Sequence, residues 1–206
     1  MNTPLVRAAI VATALAVAPM LALAQSADRP TLAAGDSWSY RQVTDDKETF
    51  WTRRVVSVAP DGVADMQIGD RAFKIDASLN ILDPKGPEYL REHYRFPMRV
   101  GAEWTSSSKA LIQYVMDQHS RYKVVAFEPL TVPAGTFDCY RVESASTIAY
   151  KASFNRDIKE TYWYCPKVGS FAKVTRETTT ISRDTPSSRE STEIVLVKLQ
   201  RRGSRP

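Results

Sequence analysis

From Trp38 onward the chain alternates apolar and polar positions in short runs rich in β-branched and aromatic residues, and a helical period is nearly absent. The pattern predicts strands at 38–43, 50–58, 63–68, 72–75, 104–108, 111–117, 122–132, 137–148, 160–165, 171–181 and 192–200. All eight glycines fall outside these runs or at their edges, where they mark turns. One helical piece is expected at 87–94, with Pro87 suited to its first turn and Pro97 beyond its end. The fold class is therefore mainly β and antiparallel, with at most one or two short helices.

The first 24 residues break the pattern. Arg7 precedes an apolar run at 8–18, and Ala22-Leu23-Ala24 offers small residues before Gln25, which reads as a cleaved secretory signal peptide. Of 206 residues, 182 remain after it, enough for one domain with a core and too few for two comfortable ones. The leader holds one basic and no acidic residue, so the formal charge falls from +5 to +4. These features exclude a cytoplasmic enzyme, a multi-pass membrane protein and a disordered tail protein. A single β domain is expected over 25–200, followed by a disordered basic tail at 201–206. No cysteine precedes Cys139, so the expected product is a soluble periplasmic protein with no transmembrane segment and no lipoprotein anchor.

Secretion changes how the cysteines read, because thiols oxidise outside the cytosol. Cys139 and Cys165, the only two in the chain, form a candidate disulfide. In an antiparallel hairpin the paired residue numbers have a constant sum, so this pair sets the partners Tyr140 with Tyr164, Arg141 with Trp163, Val142 with Tyr162 and Glu143 with Thr161. One face then carries Tyr140, Val142, Tyr162 and Tyr164, and the other carries the cysteines and Trp163 beside Phe137. A sheet apolar on both faces must be covered on both, as in a sandwich or a strongly curved sheet with something in its concavity.

Two segments echo each other. Gly35-Asp36-Ser37-Trp38 matches Gly101-Ala102-Glu103-Trp104, and the run 54–60 matches 123–129 in a basic-Val-Val pattern that ends on Pro60 and Pro129. An internal repeat over 35–96 and 101–200 would make Trp38 and Trp104 equivalent.

The inventory for catalysis is thin. His93 and His119 have no metal-ligand spacing, and the pairs Glu92-His93 and Asp117-x-His119 are carboxylate neighbours of the kind that general-base work needs and chance supplies. No nucleophile elbow, phosphate loop or dinucleotide fingerprint occurs, so no catalytic residue, metal or cofactor is assigned. The basic residues are interspersed with acids, which argues against a nucleic-acid partner.

The segments Phe96-Pro97-Met98-Arg99-Val100-Gly101-Ala102-Glu103-Trp104, Val132-Pro133-Ala134-Gly135-Thr136-Phe137 and Trp163-Tyr164-Cys165-Pro166-Lys167-Val168-Gly169 resemble the signature of TapB-like secreted bacterial proteins of unknown function. Families of this type are similar in fold to the LolA and LolB lipoprotein carriers. The resemblance implies an open half-barrel around an apolar hollow and brings no catalytic residues. The leading expectation is a non-enzymatic periplasmic protein binding an apolar, lipid-like or amphipathic ligand, with Trp104, Tyr140, Tyr162 and Tyr164 either lining the hollow or filling the core. The second is a structural protein that meets an envelope protein through a sheet edge and basic surface. The third is a hydrolase whose site carries no recognisable motif.

Overall fold

The computed structural model describes residues 26–111, 115–150, 153–183 and 186–202. The expected signal peptide lies outside them. Thirteen strands follow in order: β1 (Ser26–Ala27), β2 (Ser37–Thr44), β3 (Lys47–Val58), β4 (Ala64–Ile68), β5 (Arg71–Ile75), β6 (Ile81–Leu82), β7 (Met98–Arg99), β8 (Glu103–Leu111), β9 (Val115–Val132), β10 (Gly135–Tyr150), β11 (Phe154–Cys165), β12 (Ser170–Ser182) and β13 (Ser188–Gln200). Eleven of them form one antiparallel sheet in the order β6-β5-β4-β3-β2-β13-β12-β11-β10-β9-β8, and β1 pairs with β7. The architecture is thus two meanders joined where the last strand meets the first long one. Mainly β holds, and of the two expected arrangements the single curved sheet is the one found.

The curl is visible in bonds that skip strands. Ala134 N, in the β9–β10 turn, donates to Leu196 O of β13 at 3.3 Å, although β11 and β12 separate β10 from β13 in the ladder. Trp38 Nε1 of β2 donates across β13 to Val168 O in the β11–β12 turn at 2.8 Å, and the Tyr40 hydroxyl donates to Phe171 O at 3.0 Å.

The cysteine-derived register is the observed one. Cys139 and Cys165 are joined, and the β10–β11 ladder runs from Tyr140 opposite Tyr164 to Tyr150 opposite Phe154. Strand alternation then sends Trp104, Tyr122, Tyr140, Val142, Tyr162 and Tyr164 to the inner face, where all are buried. The outer face is half-covered by its own long side chains. Trp163 Nε1 donates to Glu128 Oε1 at 2.9 Å, and the Lys173 ammonium sits 5.8 Å from the Trp163 ring centroid.

The two Gly-x-x-Trp corners close through the same bonds. Gly35 N donates to Val55 O and Val55 N to Asp36 O, each at 2.9 Å; Gly101 N donates to Val124 O at 2.8 Å and Val124 N to Ala102 O at 2.9 Å. Both glycines have positive φ, 91° and 85°, a conformation in which a Cβ is strained.

Three expectations need correction. The run 111–117 is not one strand, because β8 ends at Leu111 and β9 begins at Val115; an apolar run does not reveal where it reverses. The 87–94 helix shrinks to a 3₁₀ turn at Pro87–Tyr89, since the backbone of residues 92–94 is taken up by side chains from other elements, Ser106, Trp104, Tyr162 and Asn80. The tail is tied down further than expected: the Arg201 guanidinium pairs with buried Asp36 at 3.0 Å and donates to Val168 O at 2.9 Å, and Arg202 N donates to Asp36 Oδ1 at 2.7 Å. Residues 203–206 lie outside the described residues.

Arg201 crosses directly over Gly169, whose φ is 69°, so a Cβ there would overlap the guanidinium. Gly169→Ala is expected to destabilise the fold by about 1–3 kcal/mol from backbone strain alone, and more if Arg201 is displaced; an unchanged urea midpoint would refute the clasp. Replacing both cysteines by Ala opens a link between residues 26 apart and should cost about 3–4 kcal/mol on the chain-entropy model, read from the same unfolding curves.

Candidate functional site

The hollow of the sheet is occupied by the chain itself. Residues 90–97, leading from the 3₁₀ turn towards β7, cross the inner face as a strap. Its backbone cannot pair in a ladder, so side chains of neighbouring elements satisfy it. Glu92 N donates to Ser106 Oγ at 3.0 Å, and Trp104 Nε1 donates to Glu92 O at 3.0 Å. The Tyr162 hydroxyl donates to His93 O at 2.7 Å. Asn80 completes the set, accepting from Tyr94 N at 2.8 Å and donating to Tyr94 O at 3.1 Å.

Trp104, Tyr140, Tyr162 and Tyr164 are therefore placed beneath cover, at 4%, 1%, 0% and 0% exposure. Trp104 stacks on Tyr122 at 5.0 Å, and Tyr140 packs on Phe127 at 4.6 Å. Tyr94 and Phe96 of the strap meet Tyr164 edge-on at 6.0 and 5.2 Å. The Tyr164 hydroxyl is buried with no hydrogen-bond partner among the described residues. Burial pushes the Tyr162 and Tyr164 pKa values up, so both hydroxyls stay protonated.

The alternation that buries Tyr162 and Tyr164 also buries Glu160 on the same strand, leaving its side chain 2% exposed. An isolated carboxylate there would cost several kcal/mol. Arg176, directly opposite on β12, compensates with bonds from Nε at 2.7 Å and Nη2 at 2.5 Å. Arg91 Nη2 and His93 Nε2 face the other oxygen at 3.7 and 3.6 Å. Arg91 also donates from Nε to the Tyr122 hydroxyl at 2.7 Å and from Nη2 to His93 Nδ1 at 2.8 Å. A guanidinium has no acceptor, so His93 Nδ1 must accept and the ring proton sits on Nε2, facing Glu160.

Burial, with the Arg91 charge beside it, lowers the His93 pKa to about 3. Burial works against the Glu160 carboxylate, but His93, Arg176 and Arg91 outweigh it and hold the pKa below the usual carboxylate value. His93 also stacks on Tyr162 at 4.5 Å and meets Tyr94 and Tyr122 edge-on. With its acceptor nitrogen engaged, this imidazole has no free lone pair with which to take a proton from a substrate. His119 stands apart on the outer face of β9, its Nδ1 3.1 Å from Ser107 Oγ. The cluster is a fastening for the strap. Among the described residues no group of three or more His, Cys, Asp or Glu could hold a metal ion.

Beside the fastening a cleft of about 290 Å³ opens between strap and sheet. Leu79, Ile81, Tyr94 and Phe171 make its apolar lining, and Arg53, Arg91 and Arg176 reach it from β3, the strap and β12. Sequence reasoning missed this site because its three arginines are spread over more than a hundred positions and each reads as an ordinary charged residue. Glu160 was accessible, since it shares the parity of Tyr162 and Tyr164 in the cysteine register.

Residues 99–178 match the DUF3108-like family model. That segment holds the disulfide, Glu160 and Arg176, and leaves out Arg53 and Arg91. Among solved structures, a protein described as exported and of YmcC-like fold, from Bacteroides fragilis, is 12% identical with a TM-score of 0.46, covering 85% of this chain and 100% of its own. A protein described as a lipoprotein, from Parabacteroides distasonis, has the same identity, TM-score and coverage. The hypothetical lipoprotein YmcC from Escherichia coli is 9% identical with a TM-score of 0.44, over 84% of this chain and 89% of its own. No curated protein matches the chain. The TapB-like name and the likeness to LolA and LolB are not confirmed by these matches.

The titrating and charged groups around His93 are Arg91, Glu160, Arg176, Tyr94, Tyr122 and Tyr162. Below pH 6.5 the unfolded chain protonates this histidine and the folded chain does not until about pH 3, so its contribution to stability is full above 6.5 and is lost as the pH falls. Glu160 acts with the same sign further into acid, because its folded pKa is the lower one. Between pH 6.5 and 4.5, His93→Gln is expected to flatten the stability profile by up to about 1.4 kcal/mol per pH unit. Urea unfolding at a series of pH values checks it, and parallel profiles for the two proteins would count against the neutral imidazole.

Proposed function

We propose that the protein is a non-enzymatic binding protein of the bacterial cell envelope, which receives a small amphipathic molecule in the cleft between strap and sheet. The observation that carries this reading is the composition of that cleft: apolar and aromatic side chains on one side and guanidinium groups on the other, in about 290 Å³. This is the small end of the range for ligand pockets, which combine an apolar lining with a few placed polar groups. The hollow once expected to hold the ligand is filled by the strap, so binding moves to the strap's margin. The arrangement favours binding over chemistry because His93 is neutral and its acceptor nitrogen, Nδ1, already receives a hydrogen bond from Arg91.

The compartment rests on two features that support each other. The apolar run at 8–18 after Arg7 reads as an export signal, and a disulfide persists where thiols oxidise. The reading calls for no cofactor, metal or nucleic acid.

A second reading has its own observation. β3 pairs with β4 only from Arg53 onward, so its residues 47–52 leave one side of the strand without a ladder partner among the described residues, and Phe50 there is 66% exposed. Such an edge could receive an extended segment of an envelope protein.

Native mass spectrometry of protein purified from the periplasm under gentle conditions separates the two. The cleft reading expects a population carrying a small-molecule adduct that is lost on mild organic extraction. A clean mature mass before and after extraction, together with co-purification of a second polypeptide, would overturn it in favour of the strand edge.

A further inference from the structure

We infer that the cleft is built for an acidic amphiphile, with one carboxylate or phosphate head held among Arg53, Arg91 and Arg176 and an apolar stem laid on Phe171, Tyr94 and Leu79. The inference rests on the cleft reading above and adds the charge and the orientation of the ligand.

The charge balance of the cleft is the first argument. Three arginines line it against a single acidic side chain at its surface, Asp83. Asp83 keeps its charge while its Oδ1 accepts from Lys85 N at 2.9 Å, so even with Glu160 behind the wall two carboxylates meet three guanidinium groups and positive charge is left over. Glu160, behind the wall, is shared by Arg91 and Arg176, and one carboxylate cannot neutralise two guanidinium groups. His93 adds no charge and no acceptor, because its Nδ1 already receives Arg91.

Arg53 is the second argument, because it has no ion pair with any described residue. Its Nη2 bonds to Ser170 Oγ, and its Nε is buried without a hydrogen-bond partner. The guanidinium carbon lies 5.1 Å from the Trp38 ring centroid and 5.5 Å from that of Phe171. Two aromatic rings therefore hold the cation in place through its faces, while hydrogen bonding to an anion uses the edge of the fork. A half-buried guanidinium without an ion pair is costly alone and is stabilised when a carboxylate or phosphate accepts from its accessible edge.

Orientation follows from the same residues. Phe171 is both a ring beneath Arg53 and part of the apolar lining, so a stem that leaves the head at Arg53 runs onto Phe171, then Tyr94 and Leu79. Ile81, 55% exposed at the mouth, extends this lining outward.

Calorimetric titration of the full mature protein with decanoate, decyl phosphate, decyl glucoside and decyltrimethylammonium, all as monomers, tests the inference. The acidic probes are expected to bind at least about ten-fold more tightly than the glucoside, the worth of one charge-assisted hydrogen bond. Arg53→Gln should remove that preference and Arg53→Lys should keep part of it, with circular dichroism confirming that each variant folds. The comparison of heads on the unaltered protein needs no variant, so it decides the matter even if Arg53→Gln does not fold. Equal affinity for the acidic and neutral heads would overturn the acidic ligand and leave the cleft as a binding site; failure of all four probes would overturn both. Sedimentation with phosphatidylglycerol vesicles, competed away by decanoate, would place the acidic head in a membrane lipid, whereas decanoate binding without vesicle retention would place it in a free amphiphile.

Discussion

The constraint on which this structure depends is the aromatic inner face of a sheet curled too tightly to be left empty. Trp38, Tyr40, Tyr122, Tyr140, Tyr162 and Tyr164 are all buried there. Each side chain of that size contributes roughly 1.5–3 kcal/mol only if water is kept out. The cover is a length of extended chain with no ladder of its own, so its backbone groups must be satisfied one at a time. That is why the inner face is not purely hydrocarbon: Trp104 and Tyr162 cover apolar surface with their rings and hold the strap with their polar tips. The same double use explains why aromatic residues with a polar handle outnumber phenylalanine in this core.

Holding a strap by side chains creates an electrostatic problem beside the aromatic one. Arg91 comes with the strap, bonds to the Tyr122 hydroxyl and His93 Nδ1, and brings a charge that Glu160 of β11 faces at 3.7 Å while Arg176 pairs with the same carboxylate from β12. The arrangement leaves positive charge over at the margin, where strap and sheet part and the cleft opens. Structural fastening and proposed binding are thus adjacent consequences of one packing solution: the fastening neutralises Glu160, and Arg53, Arg91 and Arg176 all line the cleft.

Much of this was legible in the chain. The cysteine pair acted as a ruler for β10 and β11, and with strand parity it placed Tyr140, Val142, Tyr162 and Tyr164 on one face. The Gly-x-x-Trp echo pointed to two corners whose hydrogen bonds prove to be the same. The proline and glycine motifs at Pro133–Gly135 and Val168-Gly169 marked reversals, and Val168 turns out to offer its carbonyl to both Trp38 and Arg201. What failed were the places where a local rule met a distant partner. The helix expected at 87–94 lost to bonds with Asn80, Trp104, Ser106 and Tyr162, and the tail at Arg201 was captured by Asp36.

By itself the sequence determined the class, most of the turns, the register of the central hairpin and the face on which the residues of that hairpin lie. Those properties depend on neighbours within a strand or across one ladder, and a period of two with one cross-link is enough to read them. Only the tertiary structure decided that the hollow is filled, that Glu160 has three cationic or imidazole neighbours, and that Arg53 meets Arg91 and Arg176 at one cleft. Those outcomes depend on how far the sheet curls and on which loop returns across it, and sequence spacing carries no record of either.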